Sequence, residues 1–341
     1  MYESAAGRTD ERALSLVPPG SNTLLAMAVV TILDDYQRIA MDSADWSEVS
    51  ARYDIEVLTE HIADESAVIE GLQGSEVIVA MRERTAFPAE VFKRLPALRL
   101  LVTTGMGNAA IDLSAAREHG VIVCGTTGSG SSVPELTMGM IIALTRNFAQ
   151  EDAAVRAGGW QHTIGPQLSG KTLGLVGLGR LGIPVAALGQ AFGMSVIAWS
   201  PNLTAERAGE HGVRAVGKRQ LFAESDVITI HMPLSDASRG LVSAAEFAVM
   251  KPTAYVVNTS RGPIIDEAAL LDALRHKRIA GAGLDVYDVE PLPVAHPLRS
   301  LPNTLLLPHI GYVSVDTYRT WFEQVVQDIV AYANGTPIRV L

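Results

Sequence analysis

The chain has 341 residues, 48% of them hydrophobic and 19% charged, with a formal net charge of −10. That composition excludes a disordered chain, and the length suits two domains better than one. The negative charge argues against nucleic acid or an anionic membrane as a partner. Cys124 is the only cysteine, so an intrachain disulfide and a cysteine metal cluster are excluded, and no metal is expected. It sits in "VIVCG" and reads as a buried core thiol.

Residues 1–26 contain "RTDER" and "VPPGSN". They lack an apolar core followed by a small-residue cleavage site, and no run anywhere reaches membrane-spanning length. They read as a flexible extension of a cytoplasmic protein. Five strands are then expected before residue 125, at "AVVTILD", "IEVLTE", "EVIVAM", "LRLLVTT" and "GVIVC". Helical patterns such as "ESAVIEGLQ" and "PAEVFKRL" lie between them. Near-continuous apolar strands alternating with helices mean a parallel sheet covered on both faces.

One long helix is expected from Val133 to Arg156, with Pro134 tolerated in its first turn and "AGGW" ending it. A second series of strands follows at "KTLGLVG", "SVIAWS", "DVITIHM", "TAYVVN", "AGAGLDV" and "TLLLPH". Asp266 is placed to cap the helix "EAALLDALRHK". The last helix, "VDTYRTWFEQVVQDIVAYANG", should end at Gly335.

"TLGLVGLGRLG" sets Gly177, Gly179 and Gly182 directly after a strand and at the mouth of a helix. The spacing G-x-G-x-x-G in that context points to a dinucleotide. The first glycine permits the tight turn, the second lets backbone approach a pyrophosphate, and the third allows helix and strand to touch. Arg180 and Leu181 share the turn. About twenty residues further on, such a chain usually carries an acid for the ribose 2′-hydroxyl. Ser200 stands there instead, so a 2′-phosphate meets no repulsion. Arg180 and Arg207 are the nearest cations in sequence. The pyrophosphate is the other place for Arg180, and a solvated helix face the other place for Arg207. The expected cofactor is NAD or NADP, with NADP tolerated or preferred.

Three later stretches each put a reactive side chain at or after a strand's carboxyl end, where open α/β sheets bind ligands. Arg261 is in "VVNTSRGPIIDEAAL", Asp285 and Glu290 in "GLDVYDVEP", and His309 in "LLLPHIGY". Arginine offers a planar fork for a carboxylate, and histidine exchanges protons near neutral pH. Asp285 is expected at the carboxamide of the nicotinamide.

From about Met27 to its end the chain resembles the D-isomer-specific 2-hydroxyacid dehydrogenases. The resemblance rests on "GKTLGLVGLGRLG", "HMPLSDASRGLV", "VVNTSRGPIIDEAAL", "GLDVYDVEP" and "LPHIGY". It implies an α/β fold of two Rossmann/flavodoxin-like, doubly wound parallel-sheet domains with the active site in the cleft between them. Residues 27–126 and 311–341 would form the substrate domain, and 127–310 the dinucleotide domain. Arg261, Glu290 and His309 take the family's catalytic roles. The substrate carboxylate would meet the backbone of Thr104, Gly105, Met106 and Gly107, with Arg82 from "AMRERT". Further cofactor contacts fall on His231, Pro233, Thr259, Ser260 and Gly311.

The resemblance also implies a homodimer, through the long helix and an arm carrying Trp160. The chain departs from the family pattern at Ala109–Ala110, at Leu136 after Glu135, and at Ser200. The first two bear on loop shape and substrate size, the third on cofactor choice. The expected substrate is a small 2-keto or D-2-hydroxy acid, glyoxylate or hydroxypyruvate being favoured. The alternatives are 3-phosphoglycerate or phosphite oxidation, and a dinucleotide-sensing, corepressor-like interaction protein. Glu290 speaks against the formate branch, which pairs its histidine with glutamine.

Overall fold

A computed structural model describes residues 27–128 and 132–341. The strands are β1 (Ala28–Ile32), β2 (Tyr53–Val57), β3 (Ser75–Ala80), β4 (Leu100–Thr103), β5 (Ile122–Gly125), β6 (Thr172–Val176), β7 (Ser195–Trp199), β8 (Arg214–Ala215), β9 (Val227–Ile230), β10 (Tyr255–Asn258), β11 (Gly281–Leu284) and β12 (Thr304–Leu306). They form two wholly parallel sheets. The first runs β2-β1-β3-β4-β5 and the second β12-β11-β10-β9-β6-β7-β8. The strand order reverses between β1 and β3 and between β6 and β9, and ligands bind at such switch points.

Alternate residues of the inner strands feed different cores, which is why those strands read as unbroken apolar runs. In the first sheet Val77, Val79, Leu100 and Val102 pack with Trp321, Phe322, Val325 and Ile329. Ile78, Ala80 and Leu101 pack on the other face with Leu72, Phe87 and Phe92. In the second sheet Ile228, Ile230 and Val256 enter one core, and Val227 and Val257 the other. Cys124 lies in the first sheet's core, and burial pushes its thiol up to about 12.

The C-terminal helix Val315–Ala333 crosses back to the first sheet. The chain end then adds to that sheet's edge, where the Leu341 amide donates to the Val123 carbonyl at 2.9 Å. Asp266 caps its helix as expected, accepting from the Ala269 amide at 2.9 Å. The helix expected over 133–156 is instead two, Ser132–Thr145 and Phe148–Arg156. Asn147 breaks it by taking a left-handed φ of 52°, a conformation asparagine tolerates better than most residues. Trp160, beyond the second helix, stands 75% exposed.

Candidate active site

The glycine turn follows β6 at the second sheet's switch point. Gly177 has φ 102°, and a Cβ on it would lie 2.6 Å from the His231 carbonyl oxygen, so no other residue fits without rearrangement. The helix Gly182–Ala191 begins directly after Leu181. The amides of Leu178, Gly179, Arg180 and Leu181 donate to no backbone acceptor among the described residues. At Gly179 a Cβ would have nothing within 4 Å, so this backbone faces open space. A pyrophosphate needs that arrangement of free amides at a helix start.

His309 follows β12 and reaches Glu290, on the loop after β11, with Nδ1 2.6 Å from Oε2. The other carboxylate oxygen accepts from the Tyr287 amide at 2.9 Å. Burial alone would raise the Glu290 carboxyl. The hydrogen bond and charge of His309, the Tyr287 amide and Arg84 outweigh it and hold the group below the usual glutamate range. An ionised Glu290 can only accept, so Nδ1 carries the hydrogen and Nε2 is left for proton exchange.

Asp285 sets the position of His309. Its side chain is fully buried, and its two oxygens accept from the Ile310 and Gly311 amides, each at 2.8 Å. Burial dominates its ionisation and lifts the carboxyl above the usual aspartate range. Asp285 and Gly311, both expected at the cofactor, are thus joined to each other here. The tie holds the loop in which His309 takes a φ of 55°.

Arg261 comes from the loop after β10. The Asn258 side chain shapes that loop, donating to the Arg261 carbonyl at 2.9 Å and accepting from the Ser260 amide at 3.0 Å. Gly262 lets the loop press on the one bearing Glu290, since a Cβ there would come within 2.1 Å of the Tyr287 carbonyl carbon. Thr259 Oγ1 pairs with Thr137 Oγ1 at 3.0 Å, Ser260 Oγ donates to the Met232 carbonyl, and the Pro233 carbonyl accepts from Ser238 at 2.7 Å.

The first sheet supplies the facing wall. Arg82 donates to the Thr104 carbonyl at 3.0 Å, and the Thr104 and Gly105 amides donate to Ala80 and to Thr126 Oγ1 at 3.0 and 2.8 Å. Within the loop expected to hold a carboxylate, those two amides are already engaged. The Met106 and Gly107 amides have no backbone partner among the described residues. Two contacts cross between the two walls: Arg84 donates to the His309 carbonyl at 3.1 Å, and Arg261 Nη2 meets Glu83 Oε1 at 2.7 Å. Within the first wall Arg84 also donates to the Tyr312 hydroxyl at 2.7 Å. Beside the Arg84–His309 contact lies a cavity of about 390 Å³, bounded by Tyr36 and Arg84 on one side and Glu290, Leu292 and His309 on the other; Arg261, Glu83 and the glycine turn do not line it.

The model of the D-isomer specific 2-hydroxyacid dehydrogenase NAD binding domain matches residues 138–311. The chain belongs to this family. It is 33% identical to the glyoxylate reductase of Aeropyrum pernix over 84% of this chain and 89% of that one. It is 35% identical to the D-3-phosphoglycerate dehydrogenase of Bacillus subtilis over 83% of this chain, but spans only 54% of that protein. The crystal structure of a phosphoglycerate oxidoreductase from Vibrio cholerae superposes with a TM-score of 0.86 at 34% identity, covering 91% of this chain and all of that one. A nicotinamide dinucleotide is the cofactor of such a domain, and the free amides and open backbone at Gly179 fit its pyrophosphate.

Sequence reading singled out Arg82 in "MRERT" and passed over Glu83 and Arg84, which reach across the cleft. No local signal separates those two from ordinary surface charges. Tyr312 was likewise passed over, and its ring packs edge-on to His309 with centroids 5.7 Å apart.

His231 sits beneath the glycine turn. Its Nε2 pairs with Thr229 Oγ1 at 2.7 Å, and its Nδ1 is covered and has no partner among the described residues. Burial lowers its pKa from 6.5 to about 4, so the folded protein holds it neutral while the unfolded chain takes up a proton. This stabilisation is complete above pH 6.5 and is lost as pH falls towards 4. It is worth at most about 3 kcal/mol. Thermal melting of His231→Asn should therefore show a smaller loss of stability than wild type between pH 7 and 4.5. Equal acid sensitivity of the two proteins would contradict it.

Proposed function

We propose that this protein is an NAD(P)-dependent oxidoreductase that interconverts a small 2-keto acid and its D-2-hydroxy acid. The observation that carries the reading is the 2.6 Å pair of His309 and Glu290, with the Arg261 loop packed against it and the glycine turn on the same sheet. The substrate carboxylate binds the Arg261 guanidinium and the unengaged amides of Met106 and Gly107. The carbonyl oxygen faces His309 Nε2. A bound nicotinamide supplies hydride to C2 in reduction and removes it in oxidation. His309, protonated and paired with Glu290, gives its Nε2 proton to the oxygen as the alcohol forms. In the reverse direction neutral His309 takes that proton back. Glu290 keeps Nδ1 protonated and stabilises the imidazolium, and Arg261 balances the charge growing on the oxygen.

Both cofactors are accommodated. Ser200 presents no carboxylate to a 2′-phosphate, and Arg207 folds back to within 3.4 Å of the Asn202 carbonyl, beside Ser200. Arg180 stands in the glycine turn, where its amide has no backbone acceptor among the described residues and is free for the pyrophosphate. Arg207 is thus the cation proposed for the 2′-phosphate. Glyoxylate and hydroxypyruvate are the proposed substrates, in keeping with the glyoxylate reductase relative. The exposed Trp160 is proposed as a contact of a homodimer.

The test is oxidation of NADH and NADPH, side by side, with glyoxylate, hydroxypyruvate, pyruvate and phenylpyruvate. Turnover of glyoxylate or hydroxypyruvate is expected with both cofactors. His309→Asn should lower turnover by roughly 10²–10⁴-fold. No oxidation with any of these acids, or wild-type turnover in the variant, would refute the proposal.

A further inference from the structure

Glu83 is an anion inside an anion-binding cleft. Its Oε1 lies 2.7 Å from Arg261 Nη2 and 3.5 Å from Arg82 Nη2, and its side chain is 22% exposed. Its Oε2 is covered and has no hydrogen-bond donor among the described residues. The arginine proposed to hold the substrate carboxylate therefore already holds a carboxylate of the chain, supplied from the opposite wall. Of the two guanidiniums it touches, Glu83 offsets one charge, so a ligand at Arg261 meets a weaker positive potential than Arg82 and Arg261 alone would give.

We infer that Glu83 is a specificity-determining residue that restricts this cleft to 2-keto and 2-hydroxy acids with one negative charge. The inference rests on the function proposed above. A 2-keto acid of three carbons is short, so when its carboxylate binds Arg261 its C3 substituent stays close to Glu83. A hydrogen or hydroxyl there adds no charge and is compatible with Glu83. A phosphate ester or second carboxylate at C3 puts a further anion beside a half-buried one, and that repulsion grows as water is excluded. The preferred substrates are then glyoxylate and hydroxypyruvate, and 3-phosphohydroxypyruvate is rejected. This separates the chain from what the name of its phosphoglycerate dehydrogenase relative would suggest.

D-Glycerate and 3-phospho-D-glycerate differ only by the phosphate. In the presence of NADH neither can react, so calorimetric titration of the full chain reads binding alone. Wild type should bind D-glycerate at least tenfold more tightly than 3-phosphoglycerate. Glu83→Gln should shift that ratio at least tenfold towards the phosphorylated acid, and Glu83→Ser provides a second variant should the first fail to fold. Tighter or equal binding of 3-phosphoglycerate by wild type, a ratio unchanged within twofold in the variant, or no binding of either acid would overturn the inference. If glyoxylate is still reduced in that case, only the role of Glu83 falls. Loss of both binding and keto-acid turnover removes the proposed function as well.

Discussion

The cleft is organised by one buried carboxylate. Asp285 directly follows β11, and its two oxygens take the Ile310 and Gly311 amides at 2.8 Å each. Both donors belong to the loop that carries His309. A left-handed φ of 55° at His309 costs of order 1–3 kcal/mol unless its surroundings enforce it. The paired amide bonds are that enforcement. Without them the imidazole would lose its fixed distance to Glu290, and the tautomer that Glu290 selects would no longer face the cleft.

Around this centre charged side chains join the two walls. Arg84 joins the His309 carbonyl to the Tyr312 hydroxyl and stacks between Tyr36 and Tyr312, 5.3 and 5.6 Å from their ring centroids. Arg261 meets Glu83 across the same gap. Polar contacts of this kind are exchanged for ligand contacts more readily than a packed core is. The same cations that join the walls are the groups an incoming acid would use.

Much of the fold was legible because most strands are buried on both faces and leave a short, apolar, β-branched run, while β2 alternates with Asp54 and Glu56 on an exposed face. The exceptions have local causes. β8 spans two residues and leaves no pattern. The break at Asn147 was hidden because helical composition continues on both sides of it. The side chains brought together at the cleft were readable where motif and strand end coincide, as for Arg261, Glu290 and His309. Asp285 was noticed, but its partners lie 25 and 26 residues further along the chain, and only the fold shows that its oxygens are spent on a loop. Glu83 was invisible for a related reason. Its meaning comes from a guanidinium 178 residues away, and in "MRERT" it is one charge among three.

The central claim is that an ionised Glu290 fixes the hydrogen of neutral His309 on Nδ1 and leaves Nε2 for proton exchange. Nitrogen-15 NMR of the His309 imidazole, at a pH where the ring is neutral, reads this directly. The account predicts the Nδ1–H tautomer in wild type and its loss in Glu290→Ala. A wild-type spectrum dominated by the Nε2–H tautomer would contradict it.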